Sequence, residues 1–382
     1  CYIQTKYFEK NFIKLSQEIS YILFDKKSNS AGILPKRIYD KFKPNYRNDE
    51  AIILYSSGTT GKSKGIILSH FAINKNADAI IDYMHPTNMD CIYIAKTLSH
   101  SSTLTGELLV ALKSHAKLVI APTIVPPRYI LNNIQRFNIS IICLNPILIS
   151  ALADEFQKTE YVIPSLKTIY VSGSVLNDKI YKKAHKVFRN VAIYNVYGLS
   201  EAGPRVTAQR RDCCCSNSAG KPIQGIDISV VDENGVPVSY GEHGILHVNT
   251  PSTYCGYVKG KEKHTSLYQN WLNTGDIGYI DAQGELHIVG RIDDVIIFES
   301  HKIYPSEIEK QILKCSDIWD CVVVKIEYKN SEFLACLYTG NNKSEQEIRD
   351  KLQKKLPSYE IPRRFIWCNV IPKNLNGKVS KA

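Results

Sequence analysis

Between residues 90 and 200, hydrophobic positions follow a helical period in some stretches and form short continuous runs in others. The period predicts helices around 104–112, at 129–137 and at 178–188, and the runs predict strands at 117–121, 139–144, 166–171 and 191–196. Helices that alternate with strands indicate βα units and a largely parallel sheet covered by helices. The predicted fold class is therefore α/β.

From about Gly220 the pattern changes to short strands and tight turns, with turn residues at 232–235 and 281–284 that favour hairpins. After Gly290 it indicates a small α+β domain, with a helix near Pro305, a capping box at 344–347, and a hairpin that pairs 322–328 with 333–338. We therefore expect a large domain at 1–290, β-rich at about 220–290, and a small C-terminal domain at 291–382.

Composition is that of a soluble, two-domain protein. The chain has 382 residues, of which 44% are hydrophobic and 22% charged. It contains no apolar run of about 18 residues, so no membrane span is expected. Its 11 cysteines include no C-x-x-C spacing, and its start lacks the apolar core of a signal peptide. These features favour reduced thiols and a cytoplasmic location.

The formal net charge of +11 is spread along the chain. A basic surface attracts anions such as nucleotides, CoA or an acidic carrier protein, but a lysine-rich composition unrelated to any partner is the better explanation of the charge. No basic helix or basic-aromatic module is present, so nucleic-acid binding is not expected.

A loop rich in glycine, hydroxyl groups and lysine follows the apolar run 51–55, which predicts a buried strand. Glycines allow close backbone approach, and hydroxyls, N–H groups and lysines suit a polyphosphate. The spacing is not that of a P-loop, because Ser56 stands where that pattern needs glycine. A flexible surface turn is the alternative. The residues expected to contact phosphate are Ser56, Ser57, Gly58, Thr59, Thr60, Gly61 and Lys64.

Four further segments follow the loop: Tyr197-Gly198-Leu199-Ser200-Glu201, Asn273-Thr274-Gly275-Asp276, Gly290-Arg291-Ile292-Asp293-Asp294 and Asn376-Gly377-Lys378-Val379. With these motifs in this order, the chain resembles the acyl-adenylate-forming superfamily of acyl-CoA synthetases, carrier-protein acyl ligases and peptide-synthetase adenylation domains. The resemblance extends from the phosphate loop to the C-terminus. Only 55 residues precede the loop. Relatives carry a longer segment there, so either this member is short or its beginning is missing.

The resemblance implies an ATP- and Mg²⁺-dependent enzyme that activates a small carboxylic acid to acyl-AMP, releasing pyrophosphate. The acyl group then passes to the thiol of CoA or of a phosphopantetheinyl carrier protein. One alternative is a standalone adenylation enzyme of a peptide or polyketide assembly line. Another is a non-catalytic nucleotide-binding scaffold. It is disfavoured because five residues that the expected reaction needs are present: Lys64, Glu201, Asp276, Arg291 and Lys378.

The resemblance also implies catalytic roles. Lys378 would reach the reacting carboxylate and the α-phosphate, although a solvated terminal lysine is the plain alternative. Glu201 would hold Mg²⁺, since a hard cation favours carboxylate oxygen. Ser200 would contact the α-phosphate.

Nucleotide contacts follow from the same resemblance. Tyr197, beside Gly198, would stack on adenine, although a core aromatic residue at a strand end is the alternative. Asp276 would accept hydrogen bonds from the ribose hydroxyls. Arg291 would contact ribose or phosphate; otherwise it forms a surface ion pair with Asp293 or Asp294.

The acyl pocket is expected near His100, Ser102 and Ser172. Ser172, Gly173 and Ser174 resemble the small-residue turn that lets adenine approach the backbone. His100 is either a gate or a hydrogen-bonded structural histidine. Peptide-synthetase relatives place an aspartate where Ser102 aligns, so α-amino acids are disfavoured unless Asp90 or Glu107 holds the ammonium group.

Asp293 matches the hinge about which relatives rotate the small domain between the two half-reactions. Just beyond it, Ser300 replaces a frequent glycine of the pantetheine tunnel, and Ile297 replaces a frequent lysine. Adenylation is expected to be unaffected by these replacements, whereas they bear on the thioester step.

Overall fold

The computed structural model describes two strands, 22–25 and 30–33, and then most of the chain from residue 49. The described ranges are 49–56, 64–122, 125–158, 161–174, 176, 178–210, 218–258, 267–268, 270–315, 317–328, 331–342 and 344–372. The chain divides into two units, 1–50 and 51–382. In the first unit, β1 (Ile22–Asp25) and β2 (Ser30–Ile33) form an antiparallel pair.

The second unit is built around a mixed sheet. Its strands lie in the order β11-β10-β9-β8-β7-β5-β6. They are β5 (Cys91–Ile94), β6 (Lys117–Ile120), β7 (Ile141–Leu144), β8 (Thr168–Val171), β9 (Ala192–Gly198), β10 (Arg205–Ala208) and β11 (Lys221–Pro222). Strands β5 to β9 pair in parallel, and β10 and β11 add antiparallel pairs. The α/β prediction is confirmed, and the sheet is parallel except at this edge.

Helices cover both faces of the sheet. They are α1 (His70–Met84), α4 (Pro127–Phe137), α5 (Pro146–Phe156) and α6 (Asp178–Val187), together with a segment that runs through α2 (Ser101–Thr103), a π-helical stretch (Leu104–Leu109) and α3 (Val110–Lys113). Along β7, Ile141 and Cys143 join the core under α1, whereas Ile142 and Leu144 join the core under α4, α5 and α6. This alternation is what a strand between two helical layers requires.

A smaller sheet carries the phosphate loop. Its strands are β3 (Glu50–Ser56), β4 (Lys64–Ser69) and β14 (Gly256–Tyr257), in the order β14-β4-β3. The predicted strand at 51–55 is confirmed, but its predicted burial is wrong for one face. Leu54 is 8% exposed, whereas Ile53 is 44% and Tyr55 66% exposed. The edge position of β3 leaves alternate side chains open, because successive residues of a strand point to opposite faces.

The β-rich part contains β12 (Asp227–Val231), β13 (Gly244–Asn249), β15 (Leu267–Tyr268), β16 (Trp271–Ile280) and β17 (Leu286–Arg291). The turn at 281–284 joins β16 to β17, as the sequence predicts. The turn at 232–235 instead closes a local bridge between Val231 and Pro237, while β12 pairs with β13 across a longer connection.

The C-terminal region has its own core. It contains β18 (Ile296–Phe298), β19 (His301–Ile303), α7 (Pro305–Leu313), β20 (Ile318–Tyr328), β21 (Ser331–Gly340), α8 (Glu345–Leu352) and β22 (Arg364–Trp367). The hairpin β20–β21 and the helix after Pro305 agree with the prediction. Ser344 Oγ accepts a hydrogen bond from the backbone N–H of Glu347, as an N-cap should. Within the described segments, no helix has the length and apolar character needed to cross a membrane.

Candidate active site

The chain turns sharply between β9 and β10, and this turn presents the second motif. Tyr197 and Gly198 end β9, and a short 3₁₀ helix covers Ser200–Ala202. A Cβ at Gly198 would lie 1.9 Å from the carbonyl oxygen of Pro204, so only glycine fits there. The close approach of the two strands therefore requires this glycine and holds Ser200 and Glu201 at the end of the sheet.

Three predicted nucleotide residues meet in one cluster. The hydroxyl of Tyr197 donates to Asp276 Oδ2 at 2.5 Å, and Arg291 Nη1 donates to Asp276 Oδ1 at 3.0 Å. The pairing of β16 with β17 places Asp276 directly opposite Arg291. Burial and the adjacent Asp276 charge raise the pKa of Tyr197 well above its usual range, so this hydroxyl stays protonated and donating.

This cluster decides the partner of Arg291. Its guanidinium pairs with the buried carboxylate of Asp276 and also donates to the carbonyl oxygen of Thr274 at 3.1 Å. The observed ion pair of Arg291 is therefore with Asp276, at 3.0 Å. Because Asp276 still offers acceptor lone pairs after these two bonds, it retains the capacity to accept from a diol.

A second cluster connects the phosphate-loop sheet to Glu201. The hydroxyl of Tyr257 lies 3.1 Å from Glu201 Oε1, and Lys64 Nζ lies 5.3 Å from the centre of the Tyr257 ring. The backbone N–H of Tyr254 donates to the carbonyl oxygen of Glu201 at 2.9 Å. Burial and the Glu201 charge raise the pKa of Tyr257, which keeps its hydroxyl a donor. Lys64 and Glu201, which are distant in sequence, thus face the same space.

The donors around Glu201 fit a magnesium ion. A carboxylate and neighbouring hydroxyls are hard oxygen ligands of the kind that Mg²⁺ selects. Among the described residues, no cluster of three or more histidine, cysteine, aspartate or glutamate side chains forms a metal cage. Glu201 would therefore supply one ligand, and the rest would come from water and phosphate oxygens, which is usual for Mg²⁺.

The hydroxyl that faces Ser200 belongs to Ser101. The two Oγ atoms lie 2.8 Å apart, and Ser101 is 7% exposed. Ser102, the residue that the sequence singles out for the acyl pocket, is half-buried one position further on. The exposed His100 caps the same helix segment, where its carbonyl oxygen accepts from the N–H groups of Thr103 and Leu104. Partial burial and the nearby Lys96 charge lower the pKa of His100.

The two alternative ammonium ligands are already engaged. Asp90 Oδ1 accepts from Ser140 and pairs with Lys167, both at 2.9 Å. Glu107 is fully buried, and its Oε1 lies 3.0 Å from Lys96 Nζ. Each carboxylate is thus ion-paired with a lysine, which disfavours its use for a substrate ammonium group.

The small-residue turn follows β8. The N–H of Ser172 donates to Leu144 O at 2.9 Å, and the side chain of Ser172 is half-buried. Gly173 has a φ of +99° with no atom within 4 Å of a built Cβ, and Ser174 is exposed. Positive φ suits glycine, and the open space leaves room for a flat ring against the backbone.

Several predicted residues lie outside the described part of the chain. They are Ser57, Gly58, Thr59, Thr60, Gly61 and Lys378, and also the side chain of Ser56, whose backbone ends β3. Their roles stay predictions.

The predicted hinge lies on the surface. Asp293 is exposed in a short 3₁₀ helix, Ile292–Asp294, that joins β17 to the C-terminal region. Beyond it, Ile297 is 57% exposed. Ser300 has a φ of +65° in the turn between β18 and β19, a conformation that favours glycine.

Sequence reasoning missed Ser101 and Tyr257. Ser101 adjoins residues that were singled out, so a shift of one position hid it. Tyr257 lies in a two-residue strand, too short for a periodic signal. Its place beside the phosphate-loop strand follows from sheet pairing, with Tyr257 opposite Ile66.

Comparisons with known proteins agree with this arrangement. The family described as AMP-binding enzyme matches residues 10–258, and the AMP-binding enzyme C-terminal domain matches residues 307–378. The chain is 26% identical over 348 residues to 4-coumarate–CoA ligase 2 of Nicotiana tabacum, covering 87% of this chain and 64% of that relative. Against 4-coumarate–CoA ligase 2 of Narcissus pseudonarcissus the identity is 25%, covering 87% and 61%. The chain thus spans less than two thirds of these relatives' length.

Solved structures give the same fold. ATP-bound MatB from Rhodopseudomonas palustris superposes with a TM-score of 0.81 at 25% identity, covering 87% of this chain and 67% of that one. The o-succinylbenzoate CoA synthetase MenE from Bacillus subtilis, in complex with AMP, superposes with a TM-score of 0.77 at 24% identity, covering 86% and 68%. Since the first family match alone covers more than half of the sequence, the chain belongs to the AMP-binding enzyme family.

Proposed function

We propose that this protein activates a carboxylic acid with ATP and passes the acyl group to a thiol. In the first half-reaction a carboxylate oxygen bonds to the α-phosphorus of ATP, and the bond to pyrophosphate breaks. In the second, the thiol sulfur of CoA or of a phosphopantetheinyl carrier protein bonds to the acyl carbon, AMP leaves, and the thiol proton passes to solvent. The relatives named CoA ligases support this reaction class.

The observation that carries the proposal is the cluster of Tyr197, Asp276 and Arg291. A buried carboxylate that is oriented by a phenol and a guanidinium is pre-organised to accept two ribose hydroxyls. The Arg291 guanidinium pairs with the Asp276 carboxylate at 3.0 Å and so holds its orientation. The exposed turn at Gly173 offers space for adenine nearby in the fold.

The phosphate end brings cations and hydroxyls against the reacting groups. Lys64 and the hydroxyl pair of Ser101 and Ser200 would meet the phosphate oxygens, because donors aimed at developing negative charge lower the barrier. Magnesium bound at Glu201 would neutralise phosphate charge. Lys378, which we expect to approach from the C-terminal region, would orient the attacking carboxylate.

The region 291–382 would be the mobile lid that separates the two half-reactions. In the observed arrangement, polar contacts join this region to the preceding part of the chain. Lys302 pairs with Glu233, and Ser306 donates to the carbonyl oxygen of Val289. Lys179 Nζ donates to Ile318 O at 3.2 Å. Polar contacts of this kind, together with the ring contact of Tyr304 with His243, can break in a rotation about Asp293.

An α-amino acid substrate is the weaker choice, because Asp90 and Glu107 are paired with Lys167 and Lys96. A reducing compartment, which we expect to be the cytoplasm, fits the free thiols of the described cysteines. The proposal therefore names acids without an α-ammonium group, and it names CoA ahead of a carrier protein because the named ligases use CoA.

The test measures pyrophosphate release in the presence of hydroxylamine, which captures the acyl group of acyl-AMP. The acids compared are aryl acids, short-chain and medium-chain acids, and amino acids. The full chain should release pyrophosphate with at least one non-amino acid, and added CoA should convert the adenylate to a thioester. A carrier protein in place of CoA separates the two acceptors. Nucleotide binding without pyrophosphate release from any acid would contradict the proposal and favour a scaffold.

A further inference from the structure

A buried arginine beside the candidate site has no ionic partner. Arg205 opens β10 and is only 3% exposed. Among the described residues its guanidinium enters no ion pair, and its Nη1 has no hydrogen-bond partner. A buried guanidinium keeps its charge, and an uncompensated charge in a protein interior is strongly unfavourable. Such a group calls for an anion that binds when the site is filled.

The backbone of Arg205 is held firmly. Asn76 Oδ1 accepts from the N–H of Arg205 at 2.9 Å, and Asn76 Nδ2 donates to its carbonyl oxygen at 2.8 Å. The point from which the side chain starts is therefore set by the fold. A loose surface arginine that folds back by chance would not be fixed in this way.

The space around the guanidinium is bounded by Gly106 and Tyr83. A Cβ built on Gly106 would lie 3.2 Å from Arg205 Nη2, so the lack of a side chain at Gly106 makes room for the guanidinium. The hydroxyl of Tyr83 is buried and also lacks a hydrogen-bond partner among the described residues. Burial raises the pKa of Tyr83 to about 12, against the opposing effect of the nearby Arg205 charge. Two buried donors in this part of the fold thus lack a hydrogen-bond partner among the described residues.

Neighbouring charges do not neutralise Arg205. The nearby carboxylate of Glu107 is fully buried and pairs with Lys96 at 3.0 Å. Glu107 supplies at most one negative charge, and it lies near two cations, Lys96 and Arg205. One positive charge is therefore left over.

The cluster lies where the far end of an acyl group would go. Gly106 belongs to the helix segment that starts at Ser101, and Ser101 contacts Ser200. Arg205 follows Glu201 by four residues and begins β10. An acid whose carboxylate meets the α-phosphate near Ser200 would point its other end toward the helix segment of Gly106 and the start of β10.

We propose that Arg205 selects acids that carry a second anionic group, so that the substrate is a dicarboxylic acid or its equivalent. This inference rests on the proposed function, since it names the acid that the same site takes. Arg205 would pair with the distal carboxylate, with the Tyr83 hydroxyl as a further donor. The absence of a side chain at Gly106 leaves the Arg205 guanidinium uncrowded on that side.

The experiment compares substrates matched in length. Pyrophosphate release by the full chain is measured with succinate, glutarate and adipate, and with the monomethyl ester of each. Wild type should prefer the diacid by about tenfold to a hundredfold in kcat/KM, the range expected for one buried charge pair. Arg205→Met should abolish or reverse the preference, and Arg205→Lys should keep part of it. Arg189→Met, at an exposed arginine just after α6, is the matched control and should behave as wild type.

Thermal unfolding gives a readout independent of turnover. Each diacid should raise the Tm of wild type and of Arg189→Met but not of Arg205→Met. Without ligand, Arg205→Met should be at least as stable as wild type, because it removes an unpaired buried charge.

The outcomes separate the two proposals. Release with the monoesters and equal or lower release with the diacids would overturn the role of Arg205 while supporting acid activation. If no acid gives release, the proposed function fails, and the Tm shift then decides whether Arg205 binds a diacid. The absence of a shift in wild type would overturn the inference as well.

Discussion

Asp276 is the residue on which the nucleotide end of the candidate site depends, since it joins Tyr197 and Arg291. Asp276→Asn keeps the shape but removes the charge. We expect KM for ATP to rise by roughly tenfold to a hundredfold, the cost of a charge-assisted hydrogen bond. The measurement is steady-state pyrophosphate release at varied ATP. Asp281→Asn, on the turn after β16, is the control, and an equal effect of both changes would remove Asp276 from the ribose site.

Tyr257 tests whether Glu201 is held for a metal ion. Tyr257→Phe removes the hydroxyl that lies 3.1 Å from Glu201 Oε1 and leaves the ring beside Lys64. We expect the Mg²⁺ concentration for half-maximal rate to rise about threefold to tenfold, because a partner that orients a metal ligand is lost. A magnesium titration measures this shift, and Tyr240→Phe at an exposed tyrosine is the control. An unchanged titration curve would mean that Tyr257 does not position Glu201.

At the level of elements, Asp90 stabilises the loop before β5 through hydrogen bonds and an ion pair. Burial alone would raise the pKa of Asp90, but bonds from Lys167, Thr87 and Ser140 outweigh burial and lower it to about 2. A depressed pKa stabilises the fold above the unfolded pKa, and this stability is lost as pH falls through the folded pKa. Between about pH 4 and about pH 2 the fold therefore loses the contribution of this carboxylate.

Asp90→Asn should weaken the dependence of the free energy of unfolding on pH in this acid range. Urea unfolding at about pH 5 and about pH 3 should show a smaller loss of stability for the variant than for wild type. At the higher pH the variant should be less stable, since Asn cannot pair with Lys167. Asp227→Asn, at an exposed aspartate, is the control. An equal loss of stability between the two pH values for wild type and Asp90→Asn would contradict this account.

The turn between β18 and β19 stores backbone strain. Glu299 and Ser300 have φ values of +47° and +65°. Ser300→Gly should stabilise the protein by about 0.5–1 kcal/mol, because a left-handed residue without Cβ loses its steric cost. The reverse change, Gly284→Ser, is the matched control: φ is +77° and no atom lies within 4 Å of a built Cβ. Opposite shifts in denaturant midpoint support the argument, and shifts of the same sign would contradict it.

At the scale of the whole molecule, sequence reasoning succeeds where period and motif agree. The helical and strand periods predict the central sheet, and the motifs predict that Tyr197, Asp276 and Arg291 act together. It fails where tertiary packing decides. The exposure of Tyr55, the contact of Ser101 with Ser200 and the isolation of Arg205 depend on neighbours distant in sequence, which no local pattern contains.

A change at the junction near Asp293 should slow one half-reaction and leave the other almost unchanged. The backbone bond of its 3₁₀ turn runs from the N–H of Val295 to the carbonyl oxygen of Ile292, so a proline at position 293 does not remove this bond. Asp293→Pro fixes φ at that position and restrains rotation of residues 291–382. Pyrophosphate release should stay within about threefold of wild type, while thioester formation should fall by about a hundredfold, because only the second step needs the rotation.

Asp293→Ala is the control, since it removes the same carboxylate and leaves the backbone free to turn. Stopped-flow or quenched-flow measurement of acyl-AMP and of thioester in one reaction distinguishes the two steps. If proline and alanine lower both steps equally, Asp293 contributes through its side chain, and the rotation has another pivot. If only proline separates them, the contacts of Lys302 with Glu233 and of Lys179 with Ile318 are those that must break during turnover.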